Sequence, residues 1–350
     1  MKKNNITQKL DSERKDLEEK FKKKKGGVLE MKTANQWMID ASSRPIPMQL
    51  LGSLFYEEEL SILFADTNVG KSILAVQLAD ALSKGKGMIG LKNEAGTTKV
   101  LYLDFELSDK QFEMRYSNNN VAYCFHENFL RAQIDLEQLG ESDEKLEHLI
   151  LQSIEQNVLE KEIKVIIIDN ITFLGNDMEK SRHALPLMKE LQALKKKYHL
   201  SFLILSHVPK KDNSKPITNN DVAGSKMLIN FADSAFAIGK SSEDPGMRYI
   251  KQIKVRNSEE MYGSNNVLVC ELLKQGSFLQ FKLIGMDYEN NHLESHSVKN
   301  ESDIDFQDSI KELLINNPEL SNREIAKTLE TNHQKVGRHI EKMKLSGTLV

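Results

Sequence analysis

Between about residues 59 and 285, short apolar and β-branched runs alternate with stretches of helical periodicity. Leu60-Ser61-Ile62-Leu63-Phe64 reads as a strand. Ser72–Ser83 reads as a helix with Leu74, Ala75, Leu78 and Leu82 on one face and Gly85 as its stop. Further strands are predicted at 99–103, 164–168, 201–205 and 234–238, with a helix at 182–197 between the second and third of these. An uninterrupted run such as Val165-Ile166-Ile167-Ile168 suits a parallel strand covered on both faces. The expected fold is α/β, built on a mainly parallel twisted sheet.

The pattern changes at both ends. Residues 1–27 are polar and lysine-rich, ending in Lys22-Lys23-Lys24-Lys25, and read as a basic solvated arm. The main domain is expected over 28–285, a polar linker over 286–305 and a small helical domain over 306–350. In that last domain Ile310, Leu313 and Leu314 mark a first helix, which Pro318 ends. Ser321-Asn322-Arg323-Glu324 is a capping box opening a second helix that buries Ile325, Ala326 and Leu329. A third buries Val336, Ile340 and Met343 and turns Gln334, Lys335, Arg338, His339 and Lys342 outward.

Composition narrows the class without choosing a function. With 39% hydrophobic and 28% charged residues, the 350-residue chain reads as an ordinary globular protein. No apolar run approaches the length of a membrane span, and no membrane partner is expected. Cys124 and Cys270 form neither a disulfide framework nor a metal-ligand spacing, which suggests a cytoplasmic protein. A net charge of −3 gives no overall attraction to nucleic acid, so the placement of basic residues matters more.

The chemistry concentrates where the first strand gives way to its helix. Ala65-Asp66-Thr67-Asn68-Val69-Gly70-Lys71-Ser72 has the form of a phosphate-binding loop, with Ala65 where the usual pattern has glycine. Such a loop needs inward-pointing backbone N–H groups, a lysine for the terminal phosphates, a hydroxyl for Mg²⁺ and a following helix N-terminus. Ser72 and Asp169, the latter ending Val165-Ile166-Ile167-Ile168, are the expected metal partners. Glu106, beyond Leu101-Tyr102-Leu103-Asp104, is a candidate to orient the attacking water. Asp104 competes with it, since strand alternation places both on one side. The expected cofactors are ATP and Mg²⁺.

These residues resemble the RecA-like hexameric NTPases, particularly the RepA-type and DnaB-type replicative helicases, over roughly residues 35–285. The resemblance implies that His207, after Phe202-Leu203-Ile204-Leu205-Ser206, senses the γ-phosphate. Gly224-Ser225 before Phe231-Ala232-Asp233-Ser234 is similar to the segment preceding the next family strand. In Ile253-Lys254-Val255-Arg256-Asn257, Lys254 and Arg256 would reach the γ-phosphate of a neighbouring subunit in a hexamer. The loop after His207 would face single-stranded DNA in the ring channel through Lys210, Lys211 and Lys215. The C-terminal segment resembles a winged helix-turn-helix, whose third helix would enter the major groove of double-stranded DNA. The leading expectation is a RepA-like ring ATPase in plasmid or mobile-element replication or mobilisation. Its alternatives are an ATP-switched DNA-binding regulator or assembly factor and, more distantly, a KaiC- or recombinase-like ATPase.

Overall fold

A computed structural model describes residues 29–135, 146–174, 181–208, 211–222, 226–294 and 296–329, with 331, 333, 336, 337, 339, 340 and 343 beyond them. The chain forms two compact units, residues 1–47 and 48–350. The described part of the first holds helix α1 (Ala34–Ser42), whose N-terminus is capped by the Thr33 hydroxyl accepting from Gln36 N.

The second unit begins its sheet with β1 (Leu60–Ala65), followed by α2 (Lys71–Ser83) and β2 (Val100–Asp104). Helix α3 (Asp109–Arg115) and a small hairpin, β3 (Ser117–Asn118) with β4 (Val121–Ala122), lead to β5 (Phe129–Ala132). Then come α4 (Leu146–Lys161), β6 (Val165–Asp169), α5 (Ser181–Tyr198), β7 (Ser201–His207), α6 (Lys226–Phe231) and β8 (Ser234–Lys240). Three further strands close the sheet: β9 (Met247–Lys254), β10 (Val267–Gln275) and β11 (Phe278–Asp287).

The spatial order is β11-β10-β9-β8-β1-β7-β6-β2-β5. From β8 to β5 neighbouring strands are parallel, and β8 to β11 pair antiparallel. The fold is therefore α/β with a mostly parallel central sheet, as a RecA-like phosphate-loop core requires.

Alternation along each strand divides the interior into two layers. Leu60, Ile62 and Phe64 of β1 join Phe202 and Ile204 of β7 on the side covered by α4 and α5. Leu63 and Ala65 join Tyr102, Ile167 and Leu205 on the side covered by α2. Every residue of β1, β2 and β6 is buried, which accounts for their unbroken apolar runs. Helix α2 is enclosed more fully than its single predicted face suggests. Its Gln77 donates to Phe281 O at 2.9 Å and accepts from Phe281 N at 2.8 Å, tying β11 onto it.

The stretch expected as a linker is largely regular. Strand β11 runs to Asp287, a 3-10 turn spans Glu289–His292, and α7 (His296–Asn316) begins soon after. Glu289, within the stretch expected as a polar linker, is buried. Its carboxylate accepts from Lys251 Nζ at 2.6 Å, Ile217 N at 2.7 Å and Ser264 Oγ at 2.9 Å.

Helix α8 (Asn322–Thr328) opens with the expected capping box: Ser321 N donates to Glu324 at 2.9 Å and Glu324 N donates to Ser321 Oγ at 3.4 Å. A separate small core joins Ile310, Ile325, Ala326, Val336 and Met343. Among the described residues no helix is long and apolar enough to cross a membrane.

Candidate nucleotide site

Ala65 ends the interior strand β1, buried and still extended, so its methyl group packs into the core where the usual pattern has glycine. The backbone then turns through Asp66–Val69. Gly70 caps α2 at φ +114°, a left-handed conformation, and a Cβ there would lie 2.8 Å from the Phe281 ring. Lys71 is folded back into this turn. Its amine donates to Ala65 O at 2.9 Å and Asp66 O at 3.0 Å, and stands 3.1 Å from His207 Nδ1. Burial pulls its pKa down, opposed by the charges of Asp169, Glu106 and Asp66.

The acidic groups come from neighbouring parallel strands, Asp104 of β2 lying in register with Asp169 of β6. Asp169 is buried and accepts from Tyr102 Oη at 2.5 Å; burial pushes its carboxyl up to about 6, against hydrogen bonds from Tyr102 and Ser72. A buried carboxylate bonded to the phosphate-loop hydroxyl suits a divalent cation, so Ser72 and Asp169 fit Mg²⁺. Among the described residues no group of three or more His, Cys, Asp or Glu forms a metal cage.

The structure separates the two competing acids. Asp104 is buried and fully engaged, accepting from Arg131 Nε at 2.9 Å, Leu107 N at 2.9 Å and Glu106 N at 3.2 Å. Strand β2 ends at Asp104, so alternation no longer governs Glu106, which sits in the following turn. Glu106 faces the Lys71 side: Asn170 Nδ2 donates to its Oε1, and His207 Nε2 lies 3.4 Å from the same oxygen. The contact with His207, chiefly, holds the Glu106 carboxyl below its ordinary range, helped by Asn170 and Lys71. Asn170 Nδ2 also stands 3.0 Å from His207 Nε2, while its Oδ1 accepts from Thr172 N at 3.0 Å. Lys71, His207, Asn170 and Glu106 thus form one connected chain of polar groups.

Sequence reasoning missed Tyr102, Arg131 and Asn170. Asn170 carried a signal, since it directly follows Asp169 at a strand end facing the site. The Tyr102 and Arg131 partnerships depend on strand order and are not written locally.

The other predicted residues lie elsewhere. Lys254 pairs with Ala235 near the start of β8 and donates to Ile229 O at 2.6 Å. Arg256 donates to Asp233 Oδ1 and Asn230 O, each at 3.1 Å. Asp233 N bonds Leu60 O, so Arg256 lies level with the start of β1. Ala65 closes the opposite end, five residues on, or about 17 Å along the strand.

Lys211 does not face an open channel. Its amine is buried and lies 3.3 Å from Asp221, because the loop after β7 is drawn inward where Lys251 and Glu289 hold Ile217. Lys215 is exposed beside Asp212 at 3.9 Å. His339 is also turned inward, 7% exposed, with Phe306 edge-on at 5.1 Å and Gln307 at 3.4 Å. Its position, three residues after Val336 and four before Met343, places it on the buried stripe. Lys210, Gln334, Lys335, Arg338, Lys342, the arm at 1–27 and Gly224-Ser225 lie outside the described residues.

A family model described as an AAA domain matches residues 29–213, just over half of the chain and the part containing Lys71, Glu106, Asp169 and His207. No curated protein matches the chain.

Proposed function

This chain belongs to the AAA domain family, a P-loop ATPase, and on that premise we propose an ATP-hydrolysing, DNA-associated ring that completes its sites between subunits. The observation carrying the ATPase reading is the convergence of Lys71, Glu106, Asn170, Asp169 and His207 from four separate chain segments. Lys71 and the loop N–H groups bind the phosphates of ATP. Glu106 orients the attacking water and takes up its proton. Ser72 and Asp169 would hold Mg²⁺, which supplies charge neutralisation at the phosphate oxygens. His207 senses the γ-phosphate: a Lys71 amine drawn to phosphate leaves Nδ1, and the change reaches Glu106 directly through Nε2.

A trans role for Lys254 and Arg256 is supported by their place at the opposite end of the sheet from their own phosphate loop. Cations there serve a neighbour's phosphates if subunits pack head to tail, as in a hexamer. Mixing Lys71→Ala with Arg256→Ala subunits tests this reading. Mixed assemblies regain hydrolysis where an intact loop meets an intact Arg256, and no recovery at any ratio counts against it.

The resemblance to RepA-type and DnaB-type helicases supports work on DNA in plasmid or mobile-element replication or mobilisation. Exposed Lys215 is the described channel candidate. The separate C-terminal core favours a second reading, an ATP-switched regulator that binds duplex DNA without translocating. Strand displacement with ATP supports the helicase reading; ATP-stimulated duplex binding without displacement supports the regulator.

A further inference from the structure

A cavity of about 280 Å³ lies against the phosphate loop, with Asp66–Val69 but neither Lys71 nor Ser72 in its wall. The loop after β7 and the paired ends of β8 and β9 complete it, bringing in Lys211, Lys215, Lys240 and Arg248. Among the described residues Asp66 is the only carboxylate in that wall, although Asp221 and Asp212 stand behind two of the lysines.

Two of the four cations are withdrawn from water. The Lys211 amine is buried without a hydrogen bond, its ionic partner being Asp221 at 3.3 Å. Arg248 is 8% exposed. Its Nε donates to Val69 O at 3.0 Å, and NH1 donates to Pro245 O and Met247 O, each at 2.7 Å. Its remaining guanidinium nitrogen makes no hydrogen bond among the described residues. A buried ammonium such as that of Lys211 is unfavourable unless an anion or water completes its donors. An ammonium that an anion would draw from Asp221 and a guanidinium held by three carbonyls together suit a tetrahedral oxyanion. The apolar part of the wall, including Phe64 and Val208, leaves room for a small organic body attached to it.

We propose that this cavity binds a phosphate group between Lys211 and Arg248, distinct from the phosphates held at Lys71. The bond from Arg248 to Val69 makes the phosphate loop the element that feels its occupancy. The group is a free phosphate or small phosphate ester, or one phosphate of a nucleic-acid backbone.

The test uses the full-length protein saturated with Mg²⁺ and a non-hydrolysable ATP analogue, so that the Lys71 site is filled. Inorganic phosphate is then titrated by calorimetry. Saturable binding is expected, weakened at least tenfold by Lys211→Met and several-fold by Lys240→Ala. Lys240 is exposed and makes no contact whose loss would unfold the chain. Absence of saturable binding, or equal affinity in the wild type and both variants, overturns the proposal. A single-stranded oligonucleotide supplies the second arm. If it displaces phosphate and Lys211→Met weakens it equally, the site belongs to a backbone phosphate; displacement absent, with the phosphate results as expected, assigns it to a free phosphate or ester.

Discussion

The amine of Lys71 stands 3.1 Å from Nδ1 of His207, so the phosphate loop and the end of β7 meet directly. A charged amine can only donate, so Nδ1 is the acceptor in this contact, and Nε2 faces Glu106 at 3.4 Å. A hydrogen bond to a charged group contributes about 1.5–3 kcal/mol. His207→Ala is expected to lower kcat by about 10- to 100-fold on that scale. Nucleotide affinity should stay within about twofold, because the remaining phosphate contacts are untouched. Steady-state kinetics beside equilibrium nucleotide binding separates the two quantities.

Glu106 and Asp104 should respond differently to the loss of charge. Glu106→Gln is expected to lower kcat by roughly 10²–10⁴ with nucleotide still bound, the range for a misplaced acid–base group. Asp104→Asn instead weakens its pairing with Arg131, and should lower the melting temperature more than it changes kcat. Asn170→Ala lies between, reducing turnover about tenfold or more by releasing the Glu106 carboxylate from its amide donor. Parallel melting and turnover measurements on the three variants check the order.

The buried pair of Lys251 and Glu289 supports the loop that follows His207. Removing one partner of such a pair costs about 3–5 kcal/mol, because the other charge stays buried. Glu289→Ala should therefore shift the urea midpoint strongly downward, whereas truncating the exposed Lys215 should change it little. Chemical denaturation of the two variants makes the comparison.

Asp169 predicts a pH effect of definite sign. Burial raises its folded pKa from 3.8 to about 6, so the native state holds the proton more tightly than the unfolded chain. Its contribution to stability therefore falls as pH rises from about 4 to about 6, by up to about 3 kcal/mol. In nucleotide- and metal-free protein, Asp169→Asn should raise stability at pH 7 and lose that advantage near pH 4. An equal gain at both values would show that charge burial is not its source.

The legible parts of the molecule were those where chemistry and structure share a short stretch of chain. The passage from Leu60 through Ser83 carries strand, turn, cation and helix in sequence, and Asp169 ends its own apolar run. The antiparallel half was harder to read because Lys251 and Gln252 are buried polar residues within β9, satisfied by partners on distant turns and loops. For the same reason the polar stretch containing Glu289 read as a linker: the lysine that neutralises Glu289 is distant in the chain. The family resemblance placed Lys211 toward a channel, and residue type placed His339 outward. For His339, the helical spacing to Val336 and Met343 already pointed inward.

ATP hydrolysis by the wild type and Lys71→Ala, measured with Mg²⁺ present and with folding verified by melting, tests the central claim most directly. The wild type should turn over ATP, and the variant should be reduced by at least about 10²-fold, as expected when a positioned cation is removed from the phosphates. Comparable turnover in the two proteins would contradict the assignment of the phosphate site to Ala65–Ser72.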